Sequence, residues 1–456
     1  MSRKKTRLQS LTEAPQVRPG AAGIDISPEV IYVAVEPQKD GRSVRSFGTF
    51  TGELYHIANW LKACGTQTVA MESTGVYWIP LFQVLEERGL EVFLVNARHY
   101  KNVPGRKTDV CDSAWLQYLH AVGLLQGSFR PAQEVCAFRT LLRHRSGLVQ
   151  AASEEIQHMQ KSLDQMNVQI HRVLSDLTGV SGLAIIDAIL AGVRDAHELA
   201  ALRNGRVQAS EATIVAALEG DYRAEHLFTL RQSLESYRHY QKLIGECDRQ
   251  IREMLDQFED RTDGQEPPAA RKTMRIQSDE KLRQEFHRVF GVDLTAIPAV
   301  NVGTVQVLLG EVGPDLSRFR SAGAFASWLG LCPDNRITGG KVQSSRTRKV
   351  QSRLAGALRM AAESLCRDQS YLGQFYRRMK STMKGGAPEA ITAAAHKLAR
   401  IVYTLITRKQ EYDESRFEAA EKRNAEKQRQ RIIKQARKWG LVLVPNGTGG
   451  ATTPLG

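Results

Sequence analysis

Apolar and polar positions change their spacing repeatedly along this chain. From 21 to 128, the β-branched and aromatic runs AAGIDIS, VIYVAVEP and SVRSFGTF are separated by the turn-like SPE and QKDGR, and predict a three-stranded antiparallel start. LYHIANWLKAC then reads as a helix and TVAMEST as a strand. WIPLFQVLEERGL reads as a helix closed by Gly89, EVFLVN as a strand, and DVCDSAWLQYLHAVGLL as a helix. The order β-β-β-α-β-α-β-α predicts a mixed sheet with helices on its faces.

From 129 to 262 the period lengthens to that of long helices. Met159, Leu163, Met166, Ile170, Val173 and Leu177 alternate steps of four and three. A second stripe runs Leu227, Leu230, Leu234, Tyr237, Gln241, Ile244, Asp248, Ile251, Leu255 and Phe258, and its polar members Gln241 and Asp248 are suited to fixing register. Two such coiled-coil helices either form an antiparallel hairpin or pair between subunits. Residues 263–280 are polar and Pro-containing and read as a linker. A mainly helical unit follows from 281 to 410. In it, IPAVNVGTVQVLLGEVG resembles a turn and helix that set backbone amides against a phosphate. EAITAAAHKLARIVYTLITRK is a helix that starts near Pro388. Residues 411–456 form a charged tail with a Gly/Thr-rich end, and residues 1–20 read as a disordered basic arm. The fold class expected is α/β plus all-α.

Charge narrows the function. The 456 residues carry 63 Lys+Arg against 49 Asp+Glu, a net charge of +14, which favours a polyanionic partner, nucleic acid first. No apolar run reaches about 18 residues, and the basic arm lacks the apolar stretch of a secretory signal. The six cysteines lie far apart without a CxxC, as in a reduced cytoplasmic protein.

Four acids stand out against this basic background. Asp25 sits mid-strand in GIDIS, where period two puts it on one face with Gly23 and Ser27. A carboxylate on a buried strand is costly unless it is paired or on a metal. Glu72 ends TVAMEST in the same way. Asp109 and Asp112, three apart, share one side of a helix start. A capping role accounts for Asp109 taken alone but not for Asp25 or Glu72. Four hard oxygen donors suit one or two Mg²⁺, or Mn²⁺, acting on a phosphodiester. With the strand order, the set resembles the RNase H-like fold in its DEDD, RuvC-like (Holliday-junction-resolvase) variant.

A second candidate site is the polar loop DNRITGGKVQSSRTRK, 334–349. Gly339 and Gly340 allow close backbone approach to a ligand. Arg336, Lys341, Arg346, Arg348 and Lys349 supply phosphate-binding charge, as do Arg106 and Lys107 ahead of Asp109. The hydroxyls of Thr338, Ser344 and Ser345 are candidate nucleophiles. The plain alternative is a solvated basic loop that only touches a DNA backbone.

GIDIS, MESTGVYWIPL, NARHYKNVPGRKTDVCDSAWL, AIPAVNVGTVQVLLGEVG, FASWLGLCPDNRITGGK and SSRTRK together resemble the insertion-sequence 110 family, bridge-RNA-guided transposases that include the Piv-type invertases. The resemblance covers most of 20–128 and 290–405. It implies an N-terminal RuvC-like domain, a coiled-coil region and a C-terminal transposase domain. It implies metal-binding DEDD roles for Asp25, Glu72, Asp109 and Asp112. The family's nucleophile is a serine before a small residue, and the matching position here is Thr338, before Gly339. Either Thr338 keeps that role or Ser344 or Ser345 takes it. Further implications are target and donor DNA, a structured noncoding guide RNA, a homodimer or tetramer, and a nucleoid-associated place in a bacterial cytoplasm. The basic arm, Arg143-His144-Arg145 and the basic tail are candidate RNA contacts. The rival readings are a metal-dependent nuclease or junction resolvase that needs only the acids, and a non-catalytic RNA- or DNA-binding protein.

Overall fold

A computed structural model of the chain describes residues 15–37, 39–73, 75–96, 109–125, 127–268 and 277–440. The chain divides into two units, Met1–Arg130 and Pro131–Gly456.

The first unit is a five-stranded sheet in the order β3-β2-β1-β4-β5. Its strands are β1 (Ala21–Ile26), β2 (Ile31–Ala34), β3 (Val44–Phe47), β4 (Thr68–Glu72) and β5 (Glu91–Val95). β2 runs antiparallel to β1 and to β3, and β4 runs parallel to β1 and β5. The helices are α1 (Thr51–Ala63), α2 (Trp78–Glu87) and α3 (Asp109–Ala121). Sheet and helices follow the order expected from the sequence.

Alternation along the central strands divides the core in two. Ala22, Ile24 and Ile26 of β1 join Val69 and Met71 of β4 in one cluster with Ile57 and Leu61 of α1 and Leu81 and Leu85 of α2. The odd-numbered positions of β1 and their partners face the other way, where Ala70 and Val95 pack with Leu116 and Leu119 of α3. Both faces are covered, so the central strands are buried nearly throughout.

Gly23 is why α3 lies where it does. A Cβ at Gly23 would come within 2.3 Å of both the Ser113 carbonyl oxygen and the Gln117 amide nitrogen. Only glycine lets the helix backbone rest on the strand. The Gln117 side-chain amide also donates to the Ala21 carbonyl at 3.2 Å. Gln117 thus lies level with the start of β1, and Ser113 with its middle. α3 therefore runs antiparallel to β1, with its first turn toward the end of the strand that carries Asp25.

In the second unit, α4 (Gln133–Gln165) and α9 (Ala224–Asp256) each have 33 residues, about 50 Å of helix. They pair antiparallel. Ser162 bonds Thr229 at 3.0 Å, Arg145 holds Asp248, and Phe138 meets Phe258 edge-on. The second stripe behaves as expected at Leu230, Leu234, Ile244, Ile251, Leu255 and Phe258, all buried, whereas Gln241 is exposed. Asp248 meets Arg145 through two hydrogen bonds, of 2.5 and 3.2 Å. The first stripe is not one helical seam. α4 stops at Gln165, and Asn167 takes φ +52°, a left-handed turn that ends a helix. Its later members line the core of a tip formed by α5 (Ile170–Val173), α6 (Val180–Ala191), α7 (Ala196–Ala201) and α8 (Glu211–Leu218).

Beyond α10 (Gln277–Phe290) come α11 (Val302–Glu311), α12 (Ala322–Trp328), α13 (Arg353–Ser364), α14 (Tyr371–Thr382), α15 (Ala387–Arg408) and α16 (Glu414–Lys438). α15 packs against α12, α13 and α14. Arg139 of α4 donates to the Gly310 and Glu311 carbonyls at the end of α11, at 2.7 and 2.8 Å. Arg143 grips the Glu311 carboxylate at 2.9 and 3.0 Å. Arg143 and Arg145, candidate RNA contacts by sequence, thus each hold an ion pair inside this unit.

Replacing Gly23 with Ala should push α3 off β1 and destabilise the protein by about 1–3 kcal/mol. Thermal melting reads this directly, and an unchanged melting temperature would contradict the contact.

Candidate functional site

The register places the first two acids side by side. β1 and β4 pair in parallel as Gly23 with Ala70 and Ile24 with Met71. The next residue on each strand is Asp25 and Glu72, on neighbouring backbones about 4.8 Å apart. Both share the α3 face of the sheet, because Asp25 is two residues beyond Gly23 and Glu72 two beyond Ala70. Asp25 is half-buried and Glu72 buried.

α3 brings the remaining pair to the same end. Ser113 lies level with Gly23. Four helical residues back, about 6 Å, is Asp109, and two strand residues forward, about 6.6 Å, is Asp25. Asp109 opens α3, and Asp112 is half-buried one residue before the buried Ser113. The side chain of Asp109 lies outside what the structure describes. Among the described residues, no three His, Cys, Asp or Glu side chains gather closely enough to hold a metal ion. The backbone thus sets Asp25 and Glu72 together at the level where α3 begins. The chemistry of the donors, carboxylate oxygens only, suits a hard divalent cation.

The far end of α3 is held by a buried cluster that the sequence reading missed. The amides of Val17 and Arg18 both donate to the Ala121 carbonyl, at 2.8 and 2.9 Å. The Arg18 guanidinium bonds His120 Nδ1 at 3.2 Å and lies 4.5 Å over the Phe93 ring. Arginine only donates, so Nδ1 accepts. The ring proton therefore sits on Nε2, which donates to Thr68 Oγ1 at 2.9 Å. This pins the last turn of α3 to the start of β4. Burial, with Arg18 adding to it, lowers the His120 pKa from 6.5 to about 4. His120 is 102 positions from Arg18 and 52 from Thr68, so no local pattern joins them. Residues 1–14 of the basic arm lie outside the described residues.

The segment 334–349, read from sequence as a loop, is a β-hairpin. β6 (Arg336–Thr338) pairs antiparallel with β7 (Lys341–Ser344). Gly339 and Gly340, at φ +56° and +75°, make the two-residue turn, a conformation that favours glycine at both positions. Thr338 faces Lys341 beside this tip, and Arg336 faces Ser344 farther down. Ser344 Oγ accepts the Arg346 amide at 3.3 Å, and Ser345 follows the strand. Arg336, Lys341, Arg346, Arg348 and Lys349 are all exposed. Arg348 also anchors the hairpin base through the Ser327 carbonyl at 2.6 Å. Arg106 and Lys107 lie outside the described residues. The acids belong to the first unit and the hairpin to the second.

Residues 22–168 match a family model described as a transposase, of the DEDD and IS110 type. Residues 293–377 match a model described as the transposase IS116/IS110/IS902 family. The two matches together take in more than half of the chain, the first spanning all four acids and the second the whole hairpin. No curated protein matches the chain.

His120 is uncharged in both folded and unfolded protein above its ordinary pKa of 6.5, so its contribution to stability is complete there. As the pH falls from 6.5 toward 4, the unfolded chain takes up a proton that the folded protein refuses, and stability is lost. His120→Gln should flatten the pH dependence of the melting temperature across this window. A variant with the same pH slope as the wild type would contradict the assignment.

Proposed function

The chain belongs to the IS110 family of transposases, and from that footing we propose an RNA-guided recombinase that cuts and rejoins DNA through a covalent protein–DNA phosphodiester. The observation that carries the reading is the set of acids at one sheet end, with Asp25 beside Glu72 and the start of α3 at their level. Asp25, Glu72, Asp109 and Asp112 would hold Mg²⁺ or Mn²⁺ there. The bound ion supplies charge neutralisation on the phosphoryl oxygens and polarises the leaving oxygen.

The hydroxyl comes from the hairpin. Thr338 Oγ bonds to phosphorus, the bond from phosphorus to the 3′ oxygen breaks, and the 3′ oxygen leaves as a hydroxyl. The Thr338 proton passes to solvent, which returns one to the leaving 3′ oxygen. Three features favour Thr338 over Ser344 and Ser345. It flanks the tip, its two following glycines leave open space where a Cβ would stand, and Ser344 Oγ already accepts a backbone amide. The methyl of Thr338 restricts χ1 and so narrows its angle of attack. Arg336, Lys341, Arg346 and Lys349 hold the DNA backbone on the exposed ribbon, and Arg106 and Lys107 do so ahead of α3. Reversal of the attack by a new 3′ hydroxyl rejoins the strands without hydrolysis.

We assign the choice of target and donor DNA to base pairing with a structured noncoding RNA, the protein reading backbone shape and charge. The hairpin of one subunit serves the acids of another in a dimer or tetramer. The long stripes of α4 and α9 face each other within one chain, so assembly uses other surfaces. No helix among the described residues is long and apolar enough to cross a membrane, and we place the protein on DNA in the cytoplasm.

Protein, cognate RNA and target DNA mixed with Mg²⁺ should yield a denaturation-resistant protein–DNA adduct. Thr338→Ala should abolish the adduct, and an adduct that persists would move the nucleophile to Ser344 or Ser345. Asp25→Asn should lower recombination about 100-fold or more. Hydrolysed ends with no adduct in the wild type would favour a metal-dependent nuclease instead.

A further inference from the structure

Two aromatic side chains flank the acid edge of the sheet, and we propose that Phe50 and Tyr77 stack on unpaired nucleobases of the DNA strand held there. The proposal rests on the acids being the phosphodiester site and adds a base-binding function to that edge.

Topology puts these residues in place. β3 and β4 run in the same direction as β1, because β2 is antiparallel to both β1 and β3. Their carboxyl ends therefore share one edge. The chain leaves β3 at Phe47 and reaches Phe50 three residues later. It leaves β4 at Glu72 and reaches Val76 and Tyr77. Phe50 is 84% exposed, Val76 66% and Tyr77 49%. In the register, Phe47 is level with Ile31 and Ile31 with Ile26, the neighbour of Asp25. The two rings thus follow strands on either side of β1.

Helix capping supplies a second, independent observation. Phe50 precedes α1 and Tyr77 precedes α2, and neither side chain makes a capping hydrogen bond. Ser, Thr, Asp and Asn are preferred at that position, and their loss typically costs about 1 kcal/mol. This chain follows the preference at Asp195, Ser210, Asn301, Ser352 and Ser370, all of which accept a first-turn amide. Among the described helix starts, an aromatic residue takes the position only at Phe50 and Tyr77. Ala132, Gln169, Gly179, Arg223 and Gly386 also go without a side-chain cap, so what sets Phe50 and Tyr77 apart is the exposed ring placed there, which suits a position kept for binding. A ring is uncharged, so it can sit beside the acids without competing for their cation, and every base offers a π-face to it.

Phe50→Ser makes the test sharp. Glu53 already stands three residues on, so the variant completes a Ser-x-x-Glu capping box on α1. It should melt at the same temperature as the wild type or higher. Its affinity for a single-stranded DNA oligonucleotide containing 2-aminopurine should nevertheless fall about 10-fold. Tyr77→Ala should lose a similar factor and its share of the 2-aminopurine fluorescence change, and Tyr77→Phe should retain both. Fully duplex oligonucleotide should not distinguish the variants. Phe50→Ser and Tyr77→Ala that bind single strands with wild-type affinity and fluorescence would overturn the proposal. Mn²⁺ titration in the absence of DNA separates the two readings. It should be unaltered in the ring variants and weakened in Asp25→Asn. Full Mn²⁺ affinity in Asp25→Asn would sink the acid site itself and leave the stacking result to stand alone.

Discussion

The absence of one side chain at Gly23 sets the geometry of the first unit. Because α3 rests its backbone on β1 at Ser113 and Gln117, the helix is held at a fixed height along the strand. Rise per residue then does the rest. Helix and strand advance by almost the same length between Gly23 and the acid edge, so Asp109 arrives level with Asp25. The other end is pinned by the Arg18–His120–Thr68 bonds and by the Ala121 carbonyl, which accepts two amides. A helix held at its middle and its end has little freedom to slide. Precision at the acids thus comes from contacts that contain no acid.

Much of this unit could be read before the structure. Period-two alternation placed Asp25 on a face with Gly23, and the run order predicted the mixed sheet. What could not be read were relations between distant residues. Nothing near His120 in sequence marks it as buried, neutral and bound to Arg18. The segment 334–349 was read as a loop because polar residues dominate it, and its strands are exposed except at the half-buried Ser344. Alternation carries information only where one face is buried. The first stripe failed for a different reason. The spacing continues past Gln165, but Asn167 turns the backbone left-handed, and the later residues of the stripe enter the same core as Met159 and Leu163 from other elements. Hydrophobic spacing records burial, and burial does not require one continuous helix.

In the second unit, charge serves structure more than its sequence suggests. Arg139 and Arg143 close the end of α11 onto α4, and Arg145 meets the polar break in the α9 stripe at Asp248. These partners are 103 or more positions away in the chain. A count of basic residues overstates what is left for nucleic acid. The hairpin, between Arg336 and Lys349, and the last turns of α16, from Arg431 to Lys438, are stretches where exposed cations gather with no acid among them.

That ribbon poses a chemical problem that its own residues do not solve. Thr338 is exposed beside a two-glycine turn, and the residue facing it is Lys341. An ammonium donates hydrogen bonds but accepts none, so Lys341 can hold a phosphate oxygen and cannot take the hydroxyl proton. A threonine hydroxyl in water is a poor nucleophile unless the phosphorus it attacks is made more electrophilic or its leaving group is stabilised. The acids offer the complementary half. They place hard oxygen donors at a sheet edge. In the function we propose, a phosphodiester held by both supplies what each would lack, and cleavage would be tied to assembly.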